Sequence, residues 1–453
     1  MKLTVAAVFA SSSMAAVDIG SRLELFVDRY LIQELNGVEL KLHEPVRSPI
    51  RGQAPQGLNQ PPASHYMTVI KDGDLYRAYY RDYIVGYQGP QKPAGLKELT
   101  VYAESRNGYE WTTPQLGLFE INGSRANNAI LAHTPPFTHN FAPFLDTNPA
   151  ARKDQRFKAL AGNKFSGLHA FVSADGLHWS QLQDGPVFQP VFELGGLDSH
   201  NSVFWSEVEQ QYVCYFRINL NHRRAFHKTT SKDFVTWTPG VPCYANETAE
   251  DLYTSGAHPY FRAPHITIAL PTRFMPGRGS STDIVFMAAR DGGPFQRLFR
   301  EAFIRAGLDP ERWGNRANYV ALNLVPTGPG EMSIYHALSG YRYVLRTDGF
   351  VSVHAGADAG ELLTKPLLFS GKKLVVNFST SAAGQIRIGI EEADGRSIPG
   401  YTLTDCPEIV GDRIEHTVTW KQGADVSSLA GRPVRLRVSL QDADLYSLRF
   451  FPE

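Results

Sequence analysis

The sequence has few cysteines and no net charge. Three cysteines in 453 residues, Cys214, Cys243 and Cys406, cannot all pair, and none has a CxxC or Cys/His spacing that would bind zinc. Forty-five basic residues balance 45 acidic ones without a long block of either sign. This balance argues against a nucleic-acid backbone or an anionic membrane as the main partner. We therefore expect three structural cysteines, no metal site and no cofactor.

The sequence also lacks a long hydrophobic run. A membrane-spanning helix needs about 20 apolar residues, and the short apolar stretch at residues 3–10 is followed by a small-x-small pattern at residues 13–15. Together with Lys2, this pattern predicts a signal peptide over residues 1–15 and a secreted or periplasmic protein. The alternative is an N-terminus that is not cleaved. No membrane span is expected in the mature chain.

A seven-residue motif recurs along the chain. Residues 105–111 (SRNGYEW), 173–179 (SADGLHW) and 231–237 (SKDFVTW) share a Ser, an Asn or Asp two positions later and a final Trp. Residues 289–295 and 346–350 are weaker copies, and the Asn/Asp positions are 68, 58, 58 and 57 residues apart. Asn-Gly and Asp-Gly favour the positive φ angles of tight turns, the Ser can bond the turn backbone, and the Trp can pack beside the sheet.

The spacing of this motif predicts an all-β fold. Strand-rich units of this size are typical of β-propeller blades with four strands each. Five copies predict a five-bladed β-propeller, the catalytic domain, over residues 16–355, with residues 16–46 as a lead-in. Beyond about Ala355, short strand-like runs at regular spacing predict a C-terminal β-sandwich over residues 356–453.

The carboxylates best placed for chemistry precede predicted inner strands, which line the central funnel of a propeller. Asp198 precedes the inner strand of the third blade, and Asp251 that of the fourth. Glu331 follows a Gly-Pro-Gly turn in the fifth blade. Two carboxylates in different environments can cleave a glycosidic bond as acid and base, or as acid and nucleophile. We expect Glu331 to be the general acid, Asp198 the base or nucleophile, and Asp251 an orienting residue. The alternatives are a turn cap for Asp198 and an arginine pair for Glu331.

Other polar and aromatic residues near these stretches are candidates for substrate binding. Histidines could bond sugar hydroxyls, converging arginines could bind a carboxylate or sulfate, and aromatic rings could stack on sugar faces. Each could instead be a satisfied packing residue. The predicted substrate-binding set is His139, Asn140, His200, Arg217, Tyr253, His258 and Arg262.

The predicted architecture and several segments resemble known protein groups. A signal peptide, five blades and a C-terminal sandwich are similar to the secreted bacterial glycoside hydrolases of families 32 and 43. Residues 25–32 (LFVDRYLI), 328–333 (GPGEMS) and 348–356 (DGFVSVHAG) resemble those of uncharacterised secreted bacterial proteins of this broad group. The resemblance implies a glycoside hydrolase that acts on a carbohydrate.

The sequence departs from these families in its first blade. The Trp-Met-Asn-Asp-Pro-Asn-Gly motif of family 32, which carries the nucleophile, does not occur, and residues 52–70 lack the first-blade aspartate of family 43. The repeated turns are also similar to the Asp-boxes of sialidases, which have six blades, a Tyr nucleophile and three substrate-binding arginines. This second resemblance leaves an anionic sugar open as the substrate.

The sequence therefore predicts a glycoside hydrolase that removes terminal residues from a complex polysaccharide or oligosaccharide, because a funnel closed at one end suits a chain end. Two alternatives stay open. One is a carbohydrate-binding propeller without catalysis, which the missing first-blade carboxylate favours. The other is a polysaccharide lyase or sialidase-like enzyme that acts on an acidic sugar.

Overall fold

The computed structural model describes residues 15–49, 51–52, 66–90, 92, 95–189, 196–244, 250–314, 316–336 and 341–453. Within these residues the protein is all-β, as the sequence predicted, with short 3₁₀ helices at Phe137–His139, Lys153–Gln155, Pro310–Arg312 and Ser427–Leu429. Most of the predicted signal peptide and the stretch at residues 53–65 lie outside the described residues.

In chain order the strands are β1 (Val17–Gly20), β2 (Glu24–Leu25), β3 (Ile32–Asn36), β4 (Glu39–Leu42), β5 (Val46–Pro49), β6 (Arg51–Gly52), β7 (Met67–Asp72), β8 (Leu75–Tyr83), β9 (Glu98–Ser105), β10 (Glu110–Thr112), β11 (Ala129–Ala132), β12 (Ala142–Leu145), β13 (Phe157–Asn163), β14 (Gly167–Ser173), β15 (Ser180–Gln181), β16 (Ser202–Ser206), β17 (Gln211–Leu220), β18 (Arg223–Ser231), β19 (Val241–Pro242), β20 (Asp251–Leu252), β21 (Ala257–Tyr260), β22 (Ala263–Ala269), β23 (Thr272–Met275), β24 (Ser281–Ile284), β25 (Met287–Arg290), β26 (Val325–Gly328), β27 (Glu331–Tyr335), β28 (Tyr341–Arg346), β29 (Val351–Ala355), β30 (Gly360–Thr364), β31 (Leu367–Phe369), β32 (Lys373–Glu392), β33 (Asp412–Thr417) and β34 (Val434–Phe451).

The chain divides into two compact units. One comprises residues 43–347, and the other comprises residues 1–42 together with residues 348–453. The division at residues 347 and 348 lies eight residues before the limit expected from the change in composition. In the second unit, the lead-in strands pair with C-terminal strands: β1 with β31, β2 with β34, β3 with β30 and β4 with β29.

The described strands of the unit 43–347 form six sheets. Four follow the chain closely: β6-β10-β9-β8-β7 with β11 beside β9, then β12 to β15, then β16 to β19, and last β26-β27-β28-β5. Two further sheets, β20-β23-β24 and β21-β22-β25, interleave in sequence between them. Because β5 pairs with β28, the first strand of this unit completes its last sheet.

First strands of neighbouring sheets lie side by side in this unit. Strand β7 contacts β12 and β26, and β16 contacts β12 and β21. Large buried side chains fill the spaces between sheets: Trp111 packs edge-on against Tyr335, for example, with ring centroids 5.5 Å apart. Hydrogen bonds join residues at or just before the N-terminal ends of β7, β12, β16 and β21, so these ends meet in one region. The five-bladed count and the C-terminal sandwich stay predictions.

The repeated motif forms the predicted turn in its first three copies. In the second copy, the Ser173 hydroxyl accepts a hydrogen bond from the Gly176 N–H at 2.9 Å, and Asp175 accepts from the two backbone N–H groups that follow Gly176. The Trp179 indole donates to the Gly176 carbonyl at 3.0 Å. The third copy has Phe234 at the glycine position, where its φ is 67° and its ring is fully buried. The backbone thus keeps the left-handed conformation in the third copy, although a phenylalanine replaces the glycine.

The fifth copy differs from the others. Asp348 belongs to the second unit, where it is fully buried and its carboxylate accepts from Asn377 at 3.1 Å and from Ser447 at 2.8 Å. The three cysteines are all free and buried, as expected of structural residues. Burial raises the pKa of Cys214, which keeps its thiol protonated.

Candidate functional site

Asp198 lies in the loop before β16, and two buried asparagines fix the backbone of this loop. Asn140 donates from Nδ2 to the carbonyl oxygens of Leu197 and Ser199, at 2.8 and 3.0 Å. Asn201 donates to the same two oxygens, at 3.1 Å each. Asn140 was predicted to bind substrate, but it is only 1% exposed and lies beneath the loop. It therefore holds the position of Asp198 and does not face a ligand.

The Asp198 carboxylate is paired with two cationic side chains and still open to solvent. Its Oδ1 lies 3.2 Å from His139 Nε2, and its Oδ2 accepts from Arg217 Nη2 at 3.4 Å. The side chain is 56% exposed, whereas that of Arg217 is 8% exposed. The hydrogen bond to His139 and the charge of Arg217 hold the pKa of Asp198 well below its usual range, against the effect of partial burial. Asp198 is therefore an accessible, ionised carboxylate.

His139 lies between two carboxylates. Its Nε2 faces Asp198, and its Nδ1 lies 3.1 Å from each carboxylate oxygen of Glu98. Arg81 Nη1 is also close, 2.8 Å from Nδ1. Burial and the Arg81 charge lower the pKa of His139, but the bonds to Asp198 and Glu98 outweigh them and raise it above its usual value. The contacts with Asp198 and Glu98 therefore favour the protonated form of His139.

An aromatic ring closes the site on the β7 side. Tyr66, directly before β7, packs edge-on against His139 and stacks on His200, with centroids 5.8 and 5.5 Å away. His200 is buried and its Nε2 lies 3.1 Å from the Thr68 hydroxyl. Burial lowers the pKa of His200 to about 3, so this ring is neutral. His200, predicted to bind substrate, instead supports the Tyr66 ring.

A second tyrosine lies on the opposite side of Arg217. The Arg217 guanidinium carbon is 5.0 Å from the centroid of the Tyr253 ring, a cation–π contact. The Tyr253 carbonyl accepts from the Ser199 hydroxyl at 2.9 Å, which ties this residue to the Asp198 loop. Arg316 Nη1 lies 3.3 Å from the Tyr253 hydroxyl, and the Tyr319 ring packs edge-on against Tyr253. Arg217 and Arg316 thus both lie beside Tyr253, and of these two only Arg217 was in the predicted binding set.

Asp251 does not reach the open part of the site. It is 4% exposed and accepts from the Arg224 backbone N–H at 2.9 Å, from Arg224 Nη1 at 3.3 Å and from Arg223 Nη1 at 3.3 Å. The Arg224 guanidinium lies 5.0 Å from the centroid of the Tyr253 ring. Asp251 therefore reaches the site through Arg224, and its predicted orienting role stays a prediction.

Glu331 lies away from Asp198. It is the first residue of β27, after the turn that follows β26, whereas Asp198 precedes the first strand of its sheet. Its Oε1 pairs with Arg342 Nη1 at 2.7 Å and accepts from the Thr327 hydroxyl at 2.9 Å. The arginine pair considered as the alternative is therefore what the structure contains, and the structure does not bring the two predicted catalytic carboxylates together.

Arg262 and His258 also lie outside the cluster around Asp198. Arg262 is in the turn after β21, at the end of that strand opposite to Ala257. His258 is buried within β21, and its Nδ1 lies 3.2 Å from the Gly256 carbonyl oxygen. Burial lowers the pKa of His258 to about 4, as for a neutral packing residue.

The residues around Asp198 and Tyr253 that the sequence did not indicate are Tyr66, Arg81, Glu98, Arg224, Arg316 and Tyr319. Arg81 lies near the end of β8 and Glu98 is the first residue of β9, so neither belongs to the loops that lead into first strands. Tyr66 directly follows residues 52–65, a stretch that contains no carboxylate. No motif in the sequence around Arg316 indicates that this residue belongs to the site.

Two further structural findings concern possible partners. Among the residues that the structure describes, no helix has the length and apolar character needed to cross a membrane. In the same part of the chain, no group of three or more His, Cys, Asp and Glu side chains is arranged to hold a metal ion.

Comparisons with known proteins find likeness only among solved structures. No protein-family model and no curated protein matches the sequence. A family 43 α-L-arabinofuranosidase from Clostridium thermocellum is 11% identical, with a TM-score of 0.40, and the match covers 64% of this chain and 93% of that one. A glycosyl hydrolase from Bacteroides ovatus is 12% identical, with a TM-score of 0.43 and coverage of 73% and 96%. A family 32 β-fructofuranosidase from Bombyx mori is 9% identical, with a TM-score of 0.38 and coverage of 91% and 94%.

These solved structures are of glycoside hydrolases, the group that the sequence resembled. The predicted resemblance is therefore confirmed as a distant likeness. At such identities and TM-scores, the structural likeness does not assign a reaction to this protein. The reaction has to be inferred from the side chains around Asp198.

Proposed function

We propose that this protein is a glycoside hydrolase with its reaction centre at Asp198. The observation that carries the proposal is an accessible, ionised carboxylate held between His139 and Arg217, with the Tyr66 and Tyr253 rings beside it. Ionised carboxylates act as bases or nucleophiles on glycosidic bonds, and aromatic rings stack on sugar faces. In this proposal the unit 43–347 is a five-bladed propeller, residues 356–453 form a sandwich, and the protein is secreted or periplasmic.

Asp198 acts as the base or nucleophile in this reaction. Its pKa is too low for it to carry a proton under ordinary conditions, so it cannot be the proton donor. It could either activate a water molecule or attack the anomeric carbon itself.

His139 is the proton donor in the proposed mechanism. Glu331, the acid expected from sequence, is paired with Arg342 elsewhere, whereas His139 lies 3.2 Å from Asp198. Glu98 fixes the His139 ring through Nδ1, which leaves Nε2 directed to the reaction centre. A histidine whose ring is oriented by a carboxylate can act as a general acid. The raised pKa of His139 favours its protonated form.

An acidic sugar at a chain end is the proposed substrate. Arg217 lies over the Tyr253 ring and Arg316 lies at the Tyr253 hydroxyl, and arginines bind carboxylates and sulfates well. An arginine pair beside a histidine would equally suit a lyase, in which His139 or Tyr66 removes a proton next to a neutralised carboxylate. Hydrolysis adds water across the bond, whereas a lyase leaves a double bond that absorbs ultraviolet light.

The test is product release from neutral, uronic and sulfated polysaccharides and their oligosaccharides, followed by chromatography and ultraviolet absorbance. Wild-type protein is compared with Asp198→Asn and with Glu331→Gln as the matched control. We expect release of single sugars from chain ends, a loss of roughly 10³-fold or more in Asp198→Asn, and little change in Glu331→Gln. Equal activity of Asp198→Asn and wild type would refute the proposed centre.

Two other outcomes would replace the proposed reaction. Binding of a polysaccharide without any product would favour the non-catalytic carbohydrate-binding protein. Products that absorb in the ultraviolet would identify a lyase at the same site.

A further inference from the structure

A second concave region lies in the unit 43–347, away from Asp198. It is a cavity of about 820 Å³ between the sheet β20-β23-β24 and residues 302–313. Cavities of this size bind small organic ligands or several sugar units. The side chains that decide its chemistry are Glu250, Arg273, Arg278, Asp283, Arg305 and Trp313.

Trp313 provides a flat, exposed aromatic surface at this cavity. It follows the 3₁₀ helix Pro310–Arg312 and is 63% exposed. Its orientation is nevertheless fixed, because the indole Nε1 donates to the Gly307 carbonyl at 2.8 Å. A large apolar ring held open to solvent is unusual in a folded protein, and such rings stack on the apolar faces of sugars.

The acidic side chains of the cavity are neutralised within the protein. Arg273 pairs with both Asp283 oxygens, at 2.8 and 2.6 Å, and with Glu250 at 3.0 Å. Glu250 also pairs with Arg297. These contacts leave neither carboxylate available to repel an anion that enters the cavity.

Two further arginines of the cavity are not neutralised. Arg278 and Arg305 are both exposed, and neither side chain has an ion pair or hydrogen bond to another described residue. Unpaired guanidinium groups on a concave surface favour a carboxylate or sulfate ligand. Together with Trp313, they select for a sugar that carries negative charge.

Arg316 connects the cavity to the candidate site. The Arg316 backbone N–H donates to the Ser280 carbonyl at 2.9 Å, next to Ser281, which lines the cavity. The Arg316 side chain reaches the Tyr253 hydroxyl at 3.3 Å. A polysaccharide with one end at Asp198 would therefore find a second contact region beyond Arg316.

We propose that this cavity is a second carbohydrate-binding site, which binds an acidic segment of a saccharide through Trp313, Arg278 and Arg305. The choice of ligand class rests on the proposed function. The site itself rests on the fixed, exposed indole and the two unpaired arginines. It would retain a polymer near the reaction centre while its terminal sugar reacts.

The test measures saccharide binding in an Asp198→Asn background, where hydrolysis does not interfere. Isothermal titration calorimetry uses an oligogalacturonate, a sulfated dextran oligosaccharide and a neutral dextran oligosaccharide as probes. We expect at least one acidic probe to bind and the neutral one to bind more weakly. Adding Trp313→Ala or Arg305→Ala should weaken acidic binding by about tenfold, which corresponds to about 1.4 kcal/mol.

The matched control is Phe165→Ala, which removes another exposed aromatic side chain, 74% exposed, from the turn between β13 and β14. It should leave binding unchanged. Unchanged affinity in both Trp313→Ala and Arg305→Ala would overturn the second site, even if the wild type hydrolyses saccharides. Conversely, Trp313-dependent binding by a protein that cleaves nothing would leave this site standing and refute the proposed hydrolase.

Discussion

Asp175 and Asp198 both have a carboxyl group with a strongly lowered pKa, for different reasons. At Asp175, in the repeated turn, backbone N–H groups of Leu177 and His178 and the His178 side chain stabilise the charge against partial burial. At Asp198, the charge is stabilised by His139 and Arg217, which belong to other segments of the chain. The first environment is local in sequence and the second is assembled by folding.

The comparison teaches how to separate a structural carboxylate from a functional one. The backbone N–H groups of the turn already donate hydrogen bonds to the Asp175 carboxylate, so this charge stabilises the turn and has no other role. Asp198 receives its partners from the segment before β12 and from β17, and each partner has further contacts of its own, such as Glu98 on His139. A charge that several elements cooperate to hold, while it stays open to solvent, is the better candidate for chemistry.

The largest effect on stability should come from the repeated turn. Trp111 is 1% exposed, packs on Tyr335 and donates to the Gly108 carbonyl at 3.1 Å. Trp111→Ala should lower the free energy of unfolding by about 3–5 kcal/mol, because it leaves a large cavity between sheets. Urea unfolding measures this loss, and the kcat/KM of the folded fraction should not change. A loss below about 1 kcal/mol would show that the turn is not part of the packed core.

A smaller and pH-dependent effect should come from the candidate site. The pKa of His139 is raised above its usual value of about 6.5, in part by Glu98, and the proposed reaction needs His139 protonated. The kcat/KM should therefore fall as the pH rises through this pKa. Glu98→Gln removes one stabilising charge and should move the alkaline limb to lower pH, as a pH–rate profile would measure. A limb that does not move would assign the proton donor to another residue.

The smallest effect should come from Asp175→Asn, although this substitution removes a charge as Asp198→Asn does. Asn already occupies the equivalent position in the first copy of the turn, where the Asn107 side-chain oxygen accepts from the Tyr109 and Glu110 N–H groups at 3.1 and 2.8 Å. We expect unchanged activity and a loss of about 1 kcal/mol in unfolding free energy, because the fold stabilises the Asp175 charge but solvent screens it at this partly exposed position. If Asp175→Asn instead abolished activity as Asp198→Asn does, the distinction between the two aspartates would fail.

Local features were predictable because their causes lie within a few residues. The Ser, Asn or Asp, and Trp of the repeated motif make their bonds inside one turn, so their spacing was sufficient to predict it. The all-β class followed from the same spacing. Asp198 was found by the same reasoning, because it directly precedes a strand.

The partners of Asp198 could not be predicted with the same success. His139 was named as a binding residue, but its contact with Glu98 spans 41 residues of sequence. Glu331 was chosen for a similar position in its loop, yet Arg342, eleven residues later on the paired strand, takes its charge. Buried side chains such as Asn140 and His200 look the same in sequence as exposed ones.

The sequence by itself determined the all-β class, the repeated turns and the position of the Asp198 carboxylate before β16. Those properties depend on backbone conformation and on hydrogen bonds between near neighbours. Only the tertiary structure decided which charges meet, because the ionisation of Asp198 and His139 depends on side chains that approach from distant segments. The free energy of a charge is set by its neighbours in space, and the sequence order alone does not contain them.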